Sequence, residues 1–221
     1  MDFSLFAEGP LLWIAFLIFI VGTLIRMAQL LFVARTKDKP FYTYFSIKYM
    51  LATLARWLLP LNVDVKKNPV FIICVYLFHL CVIVVPIWLA AHISLWEESR
   101  FEWSWSSIPD KWADWMTLLL LAIAVFFILR RALSPDLRII TTFADYLMIV
   151  VTVLPFATGY VLTHGTLDSI KILGDNMRLL HVLSGELMLI LIPFTRLSHS
   201  VLFFFSRASA GVEFGRRGYS I

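Results

Sequence analysis

Four of the five histidines in this 221-residue chain lie inside long apolar segments. His79 and His92 are thirteen residues apart in one segment, and His181 and His199 are eighteen residues apart in another. Ionisable side chains are costly inside a membrane, so each of these histidines is a candidate functional residue. Imidazole nitrogens bind haem iron and other transition metals, and they also form hydrogen bonds between membrane helices.

The composition indicates a membrane protein. Hydrophobic residues make up 60% of the chain and charged residues 15%, and the mean hydropathy is +0.83. Soluble domains average roughly 45–50% apolar and about 25% charged residues, and a chain of this length cannot bury so much apolar surface by folding alone. A soluble enzyme, a disordered chain and a disulfide-stapled scaffold are therefore excluded. Because no basic stretch is interleaved with aromatic residues, we predict no nucleic-acid partner.

Five apolar segments reach or approach the roughly 20 residues needed to cross a bilayer. They predict an all-α integral membrane bundle of five transmembrane helices, forming one domain over residues 1–221. The predicted spans are about residues 11–34, 69–95, 113–129, 139–163 and 179–205. The amphipathic segment 45–61 (FSIKYMLATLARWLLPL) is expected to lie along the membrane surface.

The distribution of basic residues predicts the orientation. Lysine and arginine are concentrated between the first two spans, after the third span and in the C-terminal tail. Under the positive-inside rule, these regions face the cytoplasm and the N-terminus lies outside. The segment 45–61 then lies on the cytoplasmic side.

This orientation places the four histidines in two pairs of matching depth. His92 and His181 lie in the outer half of the membrane, and His79 and His199 lie in the cytoplasmic half. Eighteen residues are five helical turns, so His181 and His199 are expected on one helix face about 27 Å apart, and Pro86 is expected to kink the helix between His79 and His92. Two facing imidazoles suit the axial ligation of one haem, which predicts two b-type haems.

Two alternatives remain at this point. The histidines could be hydrogen-bond partners between helices, or they could form zinc or copper sites. Zinc normally takes three or four protein ligands that converge on one point, and two pairs at opposite faces of the membrane do not provide such a set.

Two stretches resemble the membrane cytochrome b (gamma) subunit of respiratory nitrate reductase: residues 130–149 (RRALSPDLRIITTFADYLMI) and residues 178–199 (RLLHVLSGELMLILIPFTRLSH). That family has an RR-x-x-SP-x-x-R loop leading into a helix with TT and AD. It also has two haem-ligand histidines eighteen residues apart, a glycine four residues after the first, and a terminal PF-[ST]-R-L-x-H. Here these features correspond to His181, Gly185, residues 193–197 and His199.

The spacing of His79 and His92 departs from that family, whose corresponding histidines are about ten residues apart. The longer basic loop and the LSGELM sequence after His181 are more similar to the cytochromes b of sulfate reducers and methanogens, in heterodisulfide-reductase-like or multihaem-cytochrome complexes. This resemblance implies a bacterial or archaeal cytoplasmic membrane and electron exchange with menaquinone or another membrane quinone. The implied partners are a cytoplasmic iron–sulfur subunit and a periplasmic multihaem cytochrome; nitrate is not assigned as a substrate.

Further candidates surround the predicted haems and a quinone. Haem propionates need cations, for which Arg196, Arg178, Arg130 and Arg131 are candidates, although arginines in loops also serve simply as topology signals. His164, in TGYVLTHG, resembles a histidine in a TGF-x-x-x-H context in the sulfate-reducer branch, and we expect it to bind a quinone or relay its proton; the alternative is a surface histidine. Glu186 is a candidate proton carrier within the membrane, or a hydrogen-bond partner of a neighbouring helix. Lys111 loosely resembles a quinone-site lysine of the nitrate reductase family.

The sequence contains no CxxCH haem-attachment motif and no set of four cysteines for an iron–sulfur cluster. The predicted role is therefore that of an electron-transfer subunit, with the terminal reaction catalysed by another subunit. The alternative is a non-redox membrane protein, either a scaffold or a histidine-lined proton or metal transporter.

Overall fold

The computed structural model describes residues 3–37, 45–59 and 67–219. Helices dominate these ranges, which contain no β-strand. The chain begins with a short helix, Phe3–Phe6, and a π-helical turn, Ala7–Leu11, that continue into α1; a 3₁₀ turn, Arg196–Ser198, precedes α9. The longer elements are α1 (Leu12–Lys37), α2 (Ile47–Leu58), α3 (Pro69–Trp88), α4 (Ala90–Glu97), α5 (Asp110–Leu133), α6 (Pro135–Ile140), α7 (Phe143–His164), α8 (Lys171–Leu191) and α9 (His199–Gly215).

The predicted all-helical membrane class is confirmed, with four or five candidate spans. The four continuous spans are Phe3–Arg35, Pro69–Trp88, Asp110–Leu133 and Phe143–His164. The pair Lys171–Leu191 and Arg196–Gly215 supplies a fifth if it counts as one broken span. Many large apolar side chains on these helices are exposed, as lipid-facing side chains must be.

The second predicted span, residues 69–95, is two helices instead of one kinked helix. Helix α3 ends at Trp88, Leu89 has an extended conformation (φ −72°, ψ 130°), and α4 begins at Ala90. Pro86 lies inside α3, three residues before the break. His79 and His92 therefore lie on different helices.

The expectation that His181 and His199 share one face of a straight helix is wrong. Helix α8 ends at Leu191, and its axis makes an angle of 76° with the helical segment that begins at Arg196. Pro193 lies in the intervening turn, where a proline ring clashes with the preceding turn of a helix and offers no donor. Thr195 holds the turn by donating to the Leu191 carbonyl at 2.8 Å.

The remaining span boundaries also differ from the predicted ones. Helix α5 extends at both ends beyond the predicted 113–129. The segment predicted at 139–163 begins as a helix only at Phe143, because Thr142 and Asp145 form a capping box in which the Thr142 N–H donates to the Asp145 carboxylate at 2.8 Å. Pro135 instead starts the separate short helix α6.

The chain divides into two compact units, residues 1–73 together with 186–221, and residues 74–185. In the first unit, α2 packs against α9. A Cβ atom at Gly211 would lie 2.8 Å from the Tyr49 carbonyl oxygen, so the two backbones approach too closely for a larger residue there. The Arg207 guanidinium carbon lies 3.8 Å from the centre of the Trp57 ring, a cation–π contact.

The opposite face of α2 remains apolar and exposed. Ile47, Leu51 and Leu58 are 59%, 55% and 54% exposed, and they recur at helical spacing on one side. This two-faced character fits the predicted location of the segment at a membrane surface. Residues 60 and 61 of the predicted segment lie outside the described residues.

In the second unit, the core forms where α3, α5 and α7 supply buried side chains. Cys81, Val85, Leu120 and Phe156 form this cluster, and partly buried apolar residues surround it. The cluster fixes the middle of α3 and α7, the two helices whose carbonyl groups hold the histidines described below.

Replacing Gly211 by leucine should destabilise the contact between α2 and α9, because the new side chain would overlap the backbone at Tyr49. We expect a cost of about 1–3 kcal/mol in the free energy of unfolding, measured as a lower thermal unfolding temperature in detergent. Gly9→Ala is the matched control, since a Cβ at Gly9 meets no atom within 4 Å. Equal stability of Gly211→Leu and Gly9→Ala would show that α2 does not pack on α9.

Candidate functional site

His92 and His181 lie together in the second unit. Their imidazole rings are nearly parallel, with an angle of 12° between the planes, and the ring centres are 6.0 Å apart. Both side chains are partly buried. The two residues come from α4 and α8 and are far apart in the sequence, so the fold alone creates this pair.

The same ring nitrogen of each histidine is bound to the backbone. His92 Nδ1 lies 2.9 Å from the Pro86 carbonyl oxygen, and His181 Nδ1 lies 2.9 Å from the Pro155 carbonyl oxygen. A carbonyl oxygen can only accept, so each Nδ1 carries the proton and donates it. The Nε2 atom of each ring then has a free lone pair, which is the form of histidine that binds a metal ion.

The break between α3 and α4 explains the position of His92. The last carbonyl groups of a helix have no partner within the helix. At the end of α3, three successive carbonyl groups accept hydrogen bonds from outside the helix, each at 2.9 Å. The Pro86 carbonyl accepts from His92 Nδ1, the Ile87 carbonyl from Trp105 Nε1, and the Trp88 carbonyl from the Ile108 N–H. Trp105 therefore anchors the segment between α4 and α5 to the end of α3.

Helix α7 supplies the surroundings of His181. Thr158 Oγ1 lies 3.3 Å from His181 Nδ1 and 3.2 Å from Ser184 Oγ, and Ser184 donates to the His181 carbonyl at 2.7 Å. A Cβ atom on Gly159 would lie 2.9 Å from His181 Cε1, closer than such atoms approach. Gly159 is thus required for the ring to lie against α7.

The spacing of the His92–His181 pair can be compared with that of two imidazoles on one metal ion. Two metal–nitrogen bonds of about 2.0–2.1 Å in line, with about 1.1 Å from each nitrogen to its ring centre, give a separation of about 6.2–6.4 Å between ring centres. The observed 6.0 Å is slightly shorter than this value. Within the described ranges, no group of three or more His, Cys, Asp or Glu side chains is placed to hold a metal ion.

His79 and His199 are exposed and lie in different compact units. His79 Nδ1 donates to the Val75 carbonyl at 2.8 Å, and His199 Nδ1 donates to the Arg196 carbonyl at 2.8 Å. Both therefore carry the proton on the same ring nitrogen as His92 and His181. Their pairing stays a prediction.

His164 differs from the other four histidines. Its Nδ1 donates to the Tyr160 carbonyl at 3.0 Å, and its Nε2 lies 3.4 Å from Asp114 Oδ2. The Tyr160 ring stacks on the imidazole with 4.2 Å between ring centres. The Asp114 carboxylate thus faces Nε2 of His164, the nitrogen that carries the free lone pair in His92 and His181.

Sequence reasoning missed Asp114 as the partner of His164. Asp114 lies one turn into α5, and His164 is the last residue of α7. The sequence could have indicated this contact, because both residues lie at the predicted outer ends of neighbouring spans and therefore at the same predicted depth. Lys111 is exposed in the first turn of α5.

The remaining predicted site residues are Glu186, Arg178, Arg196, Arg130 and Arg131. Glu186 is only 2% exposed, and neither of its carboxylate oxygens has a hydrogen-bond partner among the described residues. Arg178 and Arg196 are exposed, and Arg130 is partly buried at the end of α5. Arg131 Nη1 lies 3.5 Å from Thr141 Oγ1, a contact between residues on either side of α6.

The fold and the paired histidines define an all-helical, multi-span membrane protein with a two-imidazole site. The chain belongs to the same family as a protein of Nitratidesulfovibrio vulgaris Hildenborough, whose name, "Protein", states no activity. The two are 34% identical over 220 residues, which covers 96% of this chain and 94% of the relative. No family model matches the chain.

The Trp105→Phe variant should lose the donor to the Ile87 carbonyl and leave that group unpaired at the end of α3. We expect a loss of about 1 kcal/mol in the free energy of unfolding, measured by chemical denaturation in detergent. Trp103→Phe is the control, because Trp103 is 59% exposed and contributes through ring contacts that phenylalanine can keep. If both variants lose equal stability, the indole N–H does not anchor the loop.

Proposed function

We propose that the chain is a dihaem b-type cytochrome subunit of a respiratory redox complex in a bacterial or archaeal cytoplasmic membrane. It transfers electrons across the membrane between the quinone pool and partner iron–sulfur or haem subunits. The His92–His181 pair carries this proposal, because two near-parallel imidazoles with free Nε2 atoms have nearly the spacing of two ligands on one iron.

The second haem of the proposal uses His79 and His199. Each donates its Nδ1 proton to a carbonyl of its own chain segment, so Nε2 is the nitrogen proposed to bind the iron. Their predicted common depth in the cytoplasmic half supports the pairing. Arg196, Arg178, Arg130 and Arg131 are the proposed cations for the haem propionates.

The protein's own groups hold and tune the ligands. A bound haem supplies one-electron transfer. The carbonyls of Pro86 and Pro155 fix the orientation of the outer imidazoles and make their Nε2 atoms stronger donors, and such hydrogen bonds are among the means by which a protein sets a haem potential. Gly159 keeps the space in which the His181 ring lies.

Proton handling at the proposed outer quinone site falls to His164 and Asp114. Oxidation of a quinol releases protons, and a base within hydrogen-bond reach of the hydroxyl group accepts one. His164 Nε2 lies 3.4 Å from Asp114 Oδ2, and this contact orients the imidazole. Lys111 and Glu186 are further proposed proton-handling groups, and menaquinone or another membrane quinone is the proposed substrate.

The proposed partners are a cytoplasmic iron–sulfur subunit of the heterodisulfide-reductase type and a periplasmic multihaem cytochrome. The resemblance of residues 130–149 and 178–199 to membrane cytochromes b supports this part of the proposal. The competing candidate is a non-redox scaffold or a histidine-lined transporter, which has no need of a bound haem.

An optical difference spectrum separates these functions. The dithionite-reduced minus oxidised spectrum of the purified native complex should show a b-type α-band from two haems in this subunit. His92→Ala and His181→Ala should each remove one haem, and the double variant should remove no more than either single variant, because both residues hold the same iron. His164→Ala should keep both haems.

Two outcomes would contradict the proposal. A chain with no b-type band in the intact complex is not a cytochrome. Loss of two haems in the His92→Ala/His181→Ala variant, with one lost in each single variant, would mean that the two histidines bind different haems.

The Asp114→Asn and His164→Ala variants should slow haem reduction by added quinol while keeping both haems. General-base groups contribute about 10²–10⁴-fold to rates, so we expect a loss of at least about tenfold for His164→Ala and a smaller loss for Asp114→Asn. Stopped-flow absorbance at the α-band measures the rate. Asp110→Asn, which removes an exposed carboxylate from the same helix, is the control; a rate in His164→Ala equal to that control would exclude His164 from the quinone site.

A further inference from the structure

Arg26 is a charged side chain inside the first candidate span, which runs from Phe3 to Arg35. It is the only charged residue between Glu8 and Arg35, and about 13–14 Å of helix separates it from Arg35. A guanidinium keeps its charge under all physiological conditions, and it is costly in hydrocarbon without an anionic partner. An anion must therefore lie close to Arg26 when the protein is in the membrane.

One contact fixes the direction of the Arg26 side chain within the first compact unit. Its Nε donates to the Pro193 carbonyl at 3.0 Å, in the turn after α8. A Cβ atom on Gly22 would lie 2.9 Å from the Pro193 ring, so α1 approaches this turn closely. The contact uses one of the five N–H groups of the guanidinium. Because Arg26 and Gln29 are both exposed, the side of α1 that carries them is open to a group from another molecule.

The described part of the chain does not supply the anion. No carboxylate there lies within 4.0 Å of the Arg26 nitrogens. Glu186, a carboxylate of the same compact unit, is only 2% exposed and is therefore not available at the surface of α1. The partner of the guanidinium is thus a group outside the described residues.

Arg26 borders an apolar groove of about 510 Å³ in the first unit. Besides Gly22 and the donors Arg26 and Gln29, the groove is lined by Leu17, Ile18, Val21, Ile25, Pro193 and Phe194. A partner that fits this surface is apolar along its length and carries a negative charge at one point. A transmembrane helix with a single aspartate or glutamate has this form, and such intramembrane carboxylates pair with basic side chains.

We propose that this face of α1 is the contact surface for a transmembrane helix of a different subunit, and that a carboxylate of that helix pairs with Arg26. Gln29, one turn further along α1, lies on the same side and donates to the same carboxylate. The apolar groove beside Arg26 receives the apolar side chains of the partner helix. The inference does not require a bound haem, so it is independent of the proposed function.

Other occupants fit this surface less well. A second copy of this chain offers no suitable carboxylate, because Glu186 is buried and the other carboxylates of the described candidate spans lie within about two turns of a span end. The phosphate of a phospholipid lies at the membrane surface, whereas the bond to Pro193 directs Arg26 towards the turn after α8. An oxidised quinone carries no charge and would leave the guanidinium uncompensated.

Photo-crosslinking in the native complex tests which molecule covers this face. Benzoylphenylalanine replaces Ile25, which lines the groove, or Ile20, which serves as the matched control. The two isoleucines are 52% and 51% exposed, and they lie about 140° apart around the helix. We expect Ile25→benzoylphenylalanine to crosslink to a membrane segment of another subunit that contains Asp or Glu, identified by mass spectrometry of the joined peptides. Ile20→benzoylphenylalanine should not crosslink to that segment.

Charge exchange then tests the pairing with Arg26. Adding Arg26→Glu should lower the yield of the Ile25 crosslink at least about tenfold, because a buried charge left beside a like charge is strongly destabilising. Replacing the carboxylate of the crosslinked segment by lysine should restore the yield in Arg26→Glu. Arg26→Lys, which keeps the positive charge, should retain most of the crosslink.

Several results would overturn the inference: an Ile25 crosslink to a second copy of this chain, to lipid alone, or to a segment without a carboxylate. An unchanged yield in Arg26→Glu would do the same and would leave Arg26 as a clamp on Pro193. If Arg26→Glu does not accumulate in the membrane, replacement of the partner's carboxylate by its amide decides, because this chain is then intact. A lower yield supports the pairing and an unchanged yield overturns it. Absence of a b-type band would contradict the proposed function alone.

Discussion

Carbonyl groups at the ends of membrane helices must find donors, and this constraint organises the structure. Water is absent from the hydrocarbon, so an unpaired carbonyl costs several kcal/mol. At the end of α3, the carbonyl of Pro86 accepts from His92. Within α7, the carbonyl of Pro155 accepts from both Thr158 and His181. At the end of α8, the carbonyl of Pro193 accepts from Arg26. In each case, one donor is a side chain able to bind a ligand.

This arrangement links the stability of the fold to the chemistry of the site. A histidine that donates Nδ1–H to a carbonyl satisfies the backbone and at the same time exposes the lone pair of Nε2. His92 and His181 are therefore both structural and available as ligands. His164 shows the contrasting case, because the Asp114 carboxylate at 3.4 Å occupies the direction that a metal would need.

Much of the fold could be predicted from apolar segment lengths, and the failures have a common cause. The four continuous candidate spans overlap predicted segments, and the capping residues Thr142 and Asp145 explain where one of them begins. Spacing along an ideal helix was misleading for His181 and His199, because Pro193 interrupts the helix between them. The predicted membrane depths of His92 and His181 were a better guide to their proximity. A helix break changes the direction in which a side chain points more than it changes the depth of that side chain in the membrane.

The sequence by itself determined the solvent and the class of this protein. Transfer free energies add along the chain, so 60% hydrophobic residues grouped in long segments indicate a membrane bundle whatever its tertiary details. Only the tertiary structure decided which imidazoles meet, which nitrogen of each carries the proton, and that Asp114 and Pro193 are the partners of His164 and Arg26. Those relations depend on helix breaks and on contacts between residues distant in sequence. The 76° bend after α8, for example, removes the alignment of side chains that helical periodicity predicts for a straight helix.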